Sequence, residues 1–549
     1  MPDLALRPGR SIALPLLLFW CLAVVLALTG LGGAHLRDWD EGIVARVALE
    51  LSGAPWRDKL WPTYWGDAYL NKPPGLHLLI AGLIGLWRLV SAAPAEALPP
   101  DALLRSLPAL LSSLLVPLVG MVQWRLRPGD RLSALASAAV VLTLLPLARH
   151  GRLVMLDGSL LVAMVLVWWA LLSAAPRPGR RAGLALVGWG LLAGLAGSAL
   201  LLLKAPAALP LLLGPWLLRC RDRDLGAVQL SLLGLGLLLG LLPGLGWHLG
   251  HLLVRGPEAL VMWHGQGFAR LADRLEGHTG GPLLPLLEVL KGGWPWLPLW
   301  PFGLALAWRR RRSRWGRWCL GLTLLSAVVV LPLRTQLPWY SLLLWPAFAL
   351  VCGPALAWLV ERRRPLPPAA AWLQRLPWLW SALGAALLLA GGVVALDLVP
   401  LPPAAALLAV PLGAGLLLGG VLVEAPQAPL RRAGALLTVL GAWLSLLLLM
   451  ASPLWLWELN ESWSTAKAAD LLRRHSGPVV FLWQEAERPS LNWYAGRRVR
   501  AEANPADVQR RAAEGVDLLS REQPEIDGLR CDPLERMPAI GLYHCQRLA

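Results

Sequence analysis

Apolar runs of 16 to 25 residues recur along this chain from Ser11 to Trp457. The hydrocarbon core of a bilayer is spanned by roughly 20 such residues in a helix. A backbone in that core has no water to bond, so each run must satisfy its own amides, as a helix does. Charged residues make up 15% of the 549 positions, against about a quarter in soluble domains. The fold class expected is an all-α polytopic membrane protein.

Fourteen apolar segments can be drawn, at 12–33, 75–91, 103–124, 132–148, 153–175, 183–203, 205–218, 228–254, 295–308, 318–333, 341–360, 372–396, 404–424 and 433–455. Arg-rich loops at 125–131, 177–181, 219–223, 309–317, 361–364 and 431–432 read as cytoplasmic under the positive-inside rule, as do Arg7 and Arg10. The first outer loop (34–74), the outer loop 255–294 and the tail then lie outside. Loop charge makes one early segment re-entrant or interfacial, and 75–91 is short and carries His77 and Arg88. About 13 crossings remain. The run 12–31 is too long for a cleavable signal peptide and lacks a clear small-residue cleavage site. The net charge of +17 sits mostly in the short basic loops, so it does not imply nucleic acid.

From about Glu458 the composition changes. Two domains are expected: 1–457 embedded in the membrane, and 458–549 as a small soluble α/β domain. Ser462–His475 has a helical pattern, 478–483 reads as a buried strand, and Leu491–Val499 and Ile540–His544 look like further strands. The loop 34–74, rich in Trp and Tyr, reads as two short interfacial helices. Cys531 and Cys545 are the only cysteines of the tail. They allow a disulfide if the tail is extracytoplasmic, with two free thiols as the alternative.

The candidate chemistry gathers at the outer face. Asp40 and Glu41 follow the first apolar run directly, where carboxylates are expensive to place and therefore informative. A carboxylate there can take the proton of an acceptor hydroxyl. Asp40 also suits a helix N-cap before 42–51, and both roles can coexist. Asp38 is a weaker rival. Lys72 precedes Pro73 and Pro74, and its ammonium would meet a lipid phosphate at the interface, or merely snorkel. Tyr69 would be its hydrogen-bonding neighbour. Only five of the 51 basic residues are Lys, so Lys72 and Lys204 stand out. Asp157 lies in an apolar stretch and needs a partner, with Arg152 or His150 nearest in sequence. Arg270, Arg274 and His278 in one outer loop, and Arg334 with Tyr340 in another, can hold an anion or belong to solvated loops. No cysteine spacing points to a metal.

In this order the clusters resemble the bacterial branch of the GT-C glycosyltransferases, the family of aminoarabinose transferases and protein O-mannosyltransferases. The matching pieces are Asp40-Glu41, Tyr69-x-x-Lys72-Pro73-Pro74, Arg152 with Asp157, Lys204-x-Pro206, Gly277-His278-x-x-x-Pro282 with Trp294-Pro295-Trp296, Leu337-Pro338-Trp339-Tyr340 with Pro346, and Asn492-Trp493-Tyr494-x-Gly496-Arg497.

The resemblance implies transfer of a sugar from a polyprenyl-phosphate donor to a hydroxyl or phosphate of an envelope lipid, glycan or protein, usually with inversion. The site would lie on the outer face of a bacterial inner membrane. By position it makes Asp40 the catalytic carboxylate and gives the leaving phosphate to Lys72, Tyr340 and a loop Arg. That family often has Arg and Tyr after the Asp-Glu pair and an acid before Lys-Pro-Pro. Here stand Gly42-Ile43 and Asn71. Both differences lie near acceptor or metal contacts in the family, so the acceptor stays open, as does a divalent metal. A transporter or flippase of a lipid-linked sugar is the alternative, but it would usually show repeated halves and broken helices.

Overall fold

The structure is a computed structural model. It describes residues 11–94, 97–176, 181–273, 281–362, 368–456, 463–475, 477, 480–512 and 515–548. The chain forms two compact units. One comprises Met1–Gly33, Leu70–Leu76 and Arg105–Trp455, and the other Ala34–Tyr69, His77–Leu104 and Leu456–Ala549.

Every one of the fourteen apolar runs is helical over most of its length. Among the described residues eight helices are long and apolar enough to cross a bilayer, and Ala13–Leu28, Gly75–Ser91 and Arg131–Leu142 are shorter apolar helices. The two most buried of the eight are Pro338–Glu361 and Leu156–Ser173, at 89% and 78% of their apolar windows. A helix buried all round has no polar face, so its polar and charged residues gather at its ends. Asp157 and Tyr340 stand at such ends.

In the first unit, Ala182–Leu203 and Ala227–Arg255 cross closely through small residues, as membrane helices do. A Cβ on Gly194 would lie 2.1 Å from the carbonyl oxygen of Leu237, and one on Gly236 equally close to that of Val187. Ser198 crosses the same seam, donating to the Gly240 carbonyl at 2.8 Å and accepting from the Gly244 amide at 3.0 Å. Leu156–Ser173 and Ala205–Arg221 are tied at both ends. Lys204 pairs with Asp157 at one end (3.3 Å), and Arg219 Nη2 donates to the Ala174 carbonyl at the other (2.5 Å). The two helices therefore run parallel.

In the second unit the loop after the first run departs from the two-helix expectation. Asp40–Gly53 is a helix, but the chain then makes a hairpin of β1 (Thr63–Tyr64) and β2 (Asp67–Ala68). Its turn residues Trp65 and Gly66 both have positive φ (55° and 84°), the pattern of a two-residue hairpin turn. Glu50, on the helix, fastens that turn. It accepts from the amides of Trp65 (2.8 Å) and Gly66 (3.3 Å), from Thr63 Oγ1 (2.6 Å) and from Arg46 Nε (2.6 Å). Tyr69 packs with Val47, Leu51 and Ala81.

The C-terminal sheet has five strands: β3 (Val480–Trp483), β4 (Arg500–Glu502), β5 (Val516–Ser520), β6 (Leu529–Met537) and β7 (Ile540–Arg547). Their order is β4-β3-β5-β7-β6, parallel at β3 and antiparallel around β7. Alternation sends Val480, Leu482, Leu519 and Leu542 to one face and Phe481, Trp483, Leu518 and Tyr543 to the other. Both faces are buried. Cys531 and Cys545 face each other across β6 and β7 as a disulfide.

The strand expected over Leu491–Val499 is instead mostly a helix, Pro489–Ala495. Pro489 suits its first turn, and Gly496, at φ 69°, ends it. The strand begins only at Arg500.

Candidate active site

Asp38 and Asp40 lie two residues apart in the loop that follows the first apolar helix. Asp38 is consumed by its neighbours. It accepts from Arg488 Nε, from the Ser490 amide (3.1 Å) and from Ser490 Oγ. Asp38 and Arg488 are only 5% and 8% exposed, and Arg488 also lies over the ring of Trp463 at 4.5 Å. Three donors thus tie this carboxylate into the structure of the loop. Asp40, two residues on, is half-buried and opens the helix. The cap position falls to Trp39, at φ 63°, so Asp40 is the first helical residue rather than the N-cap. Asp40 and Glu41 both sit where the helix dipole favours negative charge. Glu41 is buried and accepts from the Arg37 amide at 2.8 Å.

Gly42 has a steric reason. A Cβ there would lie 2.6 Å from the Ser490 nitrogen and 2.7 Å from the Pro489 carbonyl carbon. The backbone of 489–490 fills the place of any larger side chain, Arg included. Tyr69 is buried, with its ring edge-on to His77 at 5.6 Å.

The first unit carries a cluster of cations. Arg270 is buried and donates from Nη1 to the Tyr340 hydroxyl at 2.9 Å. Lys204 Nζ lies 4.8 Å from the centroid of the same ring and 3.3 Å from Asp157 Oδ1. Each residue is placed by a helix end. Lys204 is the joint between Ala182–Leu203 and Ala205–Arg221, with Pro206 starting the second. Asp157 opens Leu156–Ser173, and Tyr340 sits in the short 3-10 turn Pro338–Leu344. The Arg270 carbonyl accepts from the amides of Arg334 (2.9 Å) and Thr335 (3.3 Å), which joins the two segments.

Lys72 is half-buried and belongs to the same unit. Three residues on, the backbone at Gly75 packs against Leu202, where a Cβ would lie 2.6 Å from its carbonyl oxygen. The Lys72 segment thus meets the helix end that presents Lys204.

Not every expected residue joins this cluster. Arg334 takes part through its backbone, and its side chain is exposed. Arg152 is fully buried, donates to the Thr29 carbonyl and lies 4.9 Å over Trp455. The partner of Asp157 is Lys204 rather than Arg152 or His150, because the helix ends adjoin in space though 47 residues apart in sequence. Arg274 and His278 lie outside the described residues. Among the described residues no group of three or more His, Cys, Asp or Glu side chains forms a metal cage. Glu50, Arg488 and Ser490 escaped the sequence reading. Only the spacing of Arg46 and Glu50, four apart on a helix, hinted at one of them.

Residues 66–220 match the family model described as dolichyl-phosphate-mannose-protein mannosyltransferase. The crystal structure of ArnT from Cupriavidus metallidurans bound to undecaprenyl phosphate superposes with a TM-score of 0.73. The alignment covers 97% of this chain and 98% of that one at 19% identity. The chain shares the fold of that ArnT. The apo structure of the same ArnT gives a TM-score of 0.70 at 18% identity, with 97% and 98% coverage. No curated protein sequence matches the chain. The motif resemblance read from the sequence is thus joined by a fold shared with ArnT over nearly the whole chain and by a mannosyltransferase family-model match from Gly66 to Cys220.

Proposed function

We propose that this chain transfers a sugar from a polyprenyl-phosphate donor to an envelope lipid, glycan or protein. The acceptor oxygen attacks the anomeric carbon and the bond from that carbon to the phosphate oxygen breaks. Asp40 takes the acceptor proton, and polyprenyl phosphate leaves. Attack opposite the leaving group inverts the anomeric centre.

The observation that carries the reading is the pair of cations on Tyr340. A phosphate that becomes a leaving group gains charge as the bond breaks, and fixed donors lower the barrier most when they meet that charge. Arg270 offers a planar fork and Lys204 a point charge. Lys72, on the segment that meets the same helix end, would add a third cation. Arg334, Arg274, His278 and Tyr69 remain candidates for the donor phosphate by the family resemblance alone, and Glu41 steadies the loop carrying Asp40.

The Cys531–Cys545 disulfide supports an oxidising compartment for the C-terminal domain, and so the periplasmic side of an inner membrane. We keep 1–457 as the catalytic part and 458–549 as a supporting soluble domain. The test is turnover of a panel of polyprenyl-phosphate sugars by the purified chain with membrane lipid extract as acceptor. Release of polyprenyl phosphate, with the sugar recovered on an acceptor, supports the reading. Lipid-linked sugar carried intact across proteoliposomes with no release would favour transport.

A further inference from the structure

Ala205–Arg221 ends far from Lys204. Its seventeen residues rise about 25 Å. At that far end it lies antiparallel to Arg314–Val330, and the two touch through glycines. A Cβ on Gly321 would lie 2.8 Å from Leu218, and one on Gly214 would lie 2.6 Å from Leu325. Along this close contact runs a groove lined by Gly214, Leu217, Leu218, Leu324, Leu325 and Val328. Leu217 and Leu324 are each 65% exposed and Val328 60%, so its walls face outward.

Charge closes one end only. Cys220, Arg221 and Arg223 line the groove there. The acids of that end are taken. Asp222 accepts from Arg314 (2.8 Å), Arg317 (2.9 Å) and Trp318 (3.0 Å), and Asp224 accepts from Arg219. Arg221 and Arg223 are exposed and have no acidic partner among the described residues. Exposed Arg309, Arg310, Arg311 and Arg312 lead into the same helix end. From Gly214 to Arg221 the helix rises about 10 Å, which is most of one leaflet of a hydrocarbon core roughly 30 Å thick.

We propose that this groove is a binding site for an anionic phospholipid, with the headgroup phosphate on Arg221 and Arg223 and one acyl chain laid past Gly321 and Gly214. A groove apolar along its length and cationic at a single end has the polarity of one lipid. Anionic headgroups gain from each nearby arginine, whereas a zwitterionic headgroup gains little. The site lies at the opposite end of the helix from Lys204, so it is separate from the donor cluster.

The test is native mass spectrometry of the full chain released from nanodiscs of equal phosphatidylglycerol and phosphatidylcholine with matched acyl chains. Three proteins are compared: wild type, the double variant Arg221→Gln with Arg223→Gln, and Leu324→Trp, which fills the groove and keeps its charge. Thermal melting in the same discs confirms that each is folded. Wild type is expected to retain phosphatidylglycerol over phosphatidylcholine by on the order of tenfold. The double variant should fall to near parity, and Leu324→Trp should lose both lipids. Equal retention of the two lipids by wild type overturns the proposal. So does an undiminished preference in either variant.

Discussion

Arg270 donates from Nη1 to the hydroxyl of Tyr340 at 2.9 Å, and both side chains are buried. An arginine in such a place keeps its charge whatever its surroundings, so the pair is a fixed positive end on a rigid ring. Removing Arg270 takes away both the charge and the partner of the phenol. Arg270→Ala should lower kcat/KM for the lipid donor by about 10²–10³, the usual loss for one donor aimed at developing charge. Tyr340→Phe keeps the cation and should cost about tenfold. Steady-state kinetics on one donor separate the two, and equal losses would place the function in the phenol instead.

Lys204 and Asp157 pair at 3.3 Å with side chains 24% and 16% exposed. They are partly screened, so the pair is weaker than a fully buried one. A double-mutant cycle with Asp157→Asn and Lys204→Met should give a coupling energy of roughly 0.5–3 kcal/mol in denaturant unfolding. Additive single effects would mean that the two side chains stand together without stabilising one another.

Asp38 and Asp40 should part company under the same substitution. Asp38→Asn disrupts the contacts to Arg488 and Ser490 and leaves a guanidinium buried without its counter-charge, at a cost of about 3–5 kcal/mol. The loss should appear as lower melting temperature and faster amide exchange in 463–495. Asp40→Asn, a near-isosteric change at a half-buried position, should move both less than Asp38→Asn does. A destabilised Asp40→Asn protein would make that residue structural.

Tyr64 offers a pH handle. Burial raises its phenol above the ordinary value of 10.0, and the negative charge of Glu487 pushes it the same way. The folded state thus holds the proton more tightly than the unfolded chain. Its contribution to stability is complete below pH 10 and is lost as pH rises through the folded pKa. Difference absorbance at the phenolate band, wild type minus Tyr64→Phe, should give a midpoint above 10. A midpoint at or below 10 would contradict the burial argument.

The sequence made the membrane helices legible because their signal is local: a run of leucine and alanine says helix whatever it packs against. Lys204 and Tyr340, which the structure brings together, stood out for a related reason, as did Asp40 and Lys72, which stay candidates: charge or Pro-flanked polarity at the end of an apolar run has few bland explanations. The partner of Asp157 was hidden, because Lys204 comes close only when two helices lie parallel. The hairpin after Gly53 was hidden too. Its turn residue is Trp65, which does not ordinarily favour positive φ, and it is held by Glu50 from the preceding helix. Leu491–Val499 misled because its apolar residues fit a strand as well as a short helix, and the decision rested on Pro489 and Gly496.

The most direct measurement pairs turnover with donor binding in wild type and Asp40→Asn. A general base contributes about 10²–10⁴ in rate. The account predicts that Asp40→Asn loses polyprenyl-phosphate release by that order while binding the lipid donor within a few-fold of wild type. Release by Asp40→Asn within a few-fold of wild type would contradict it, and would take the proton transfer away from Asp40.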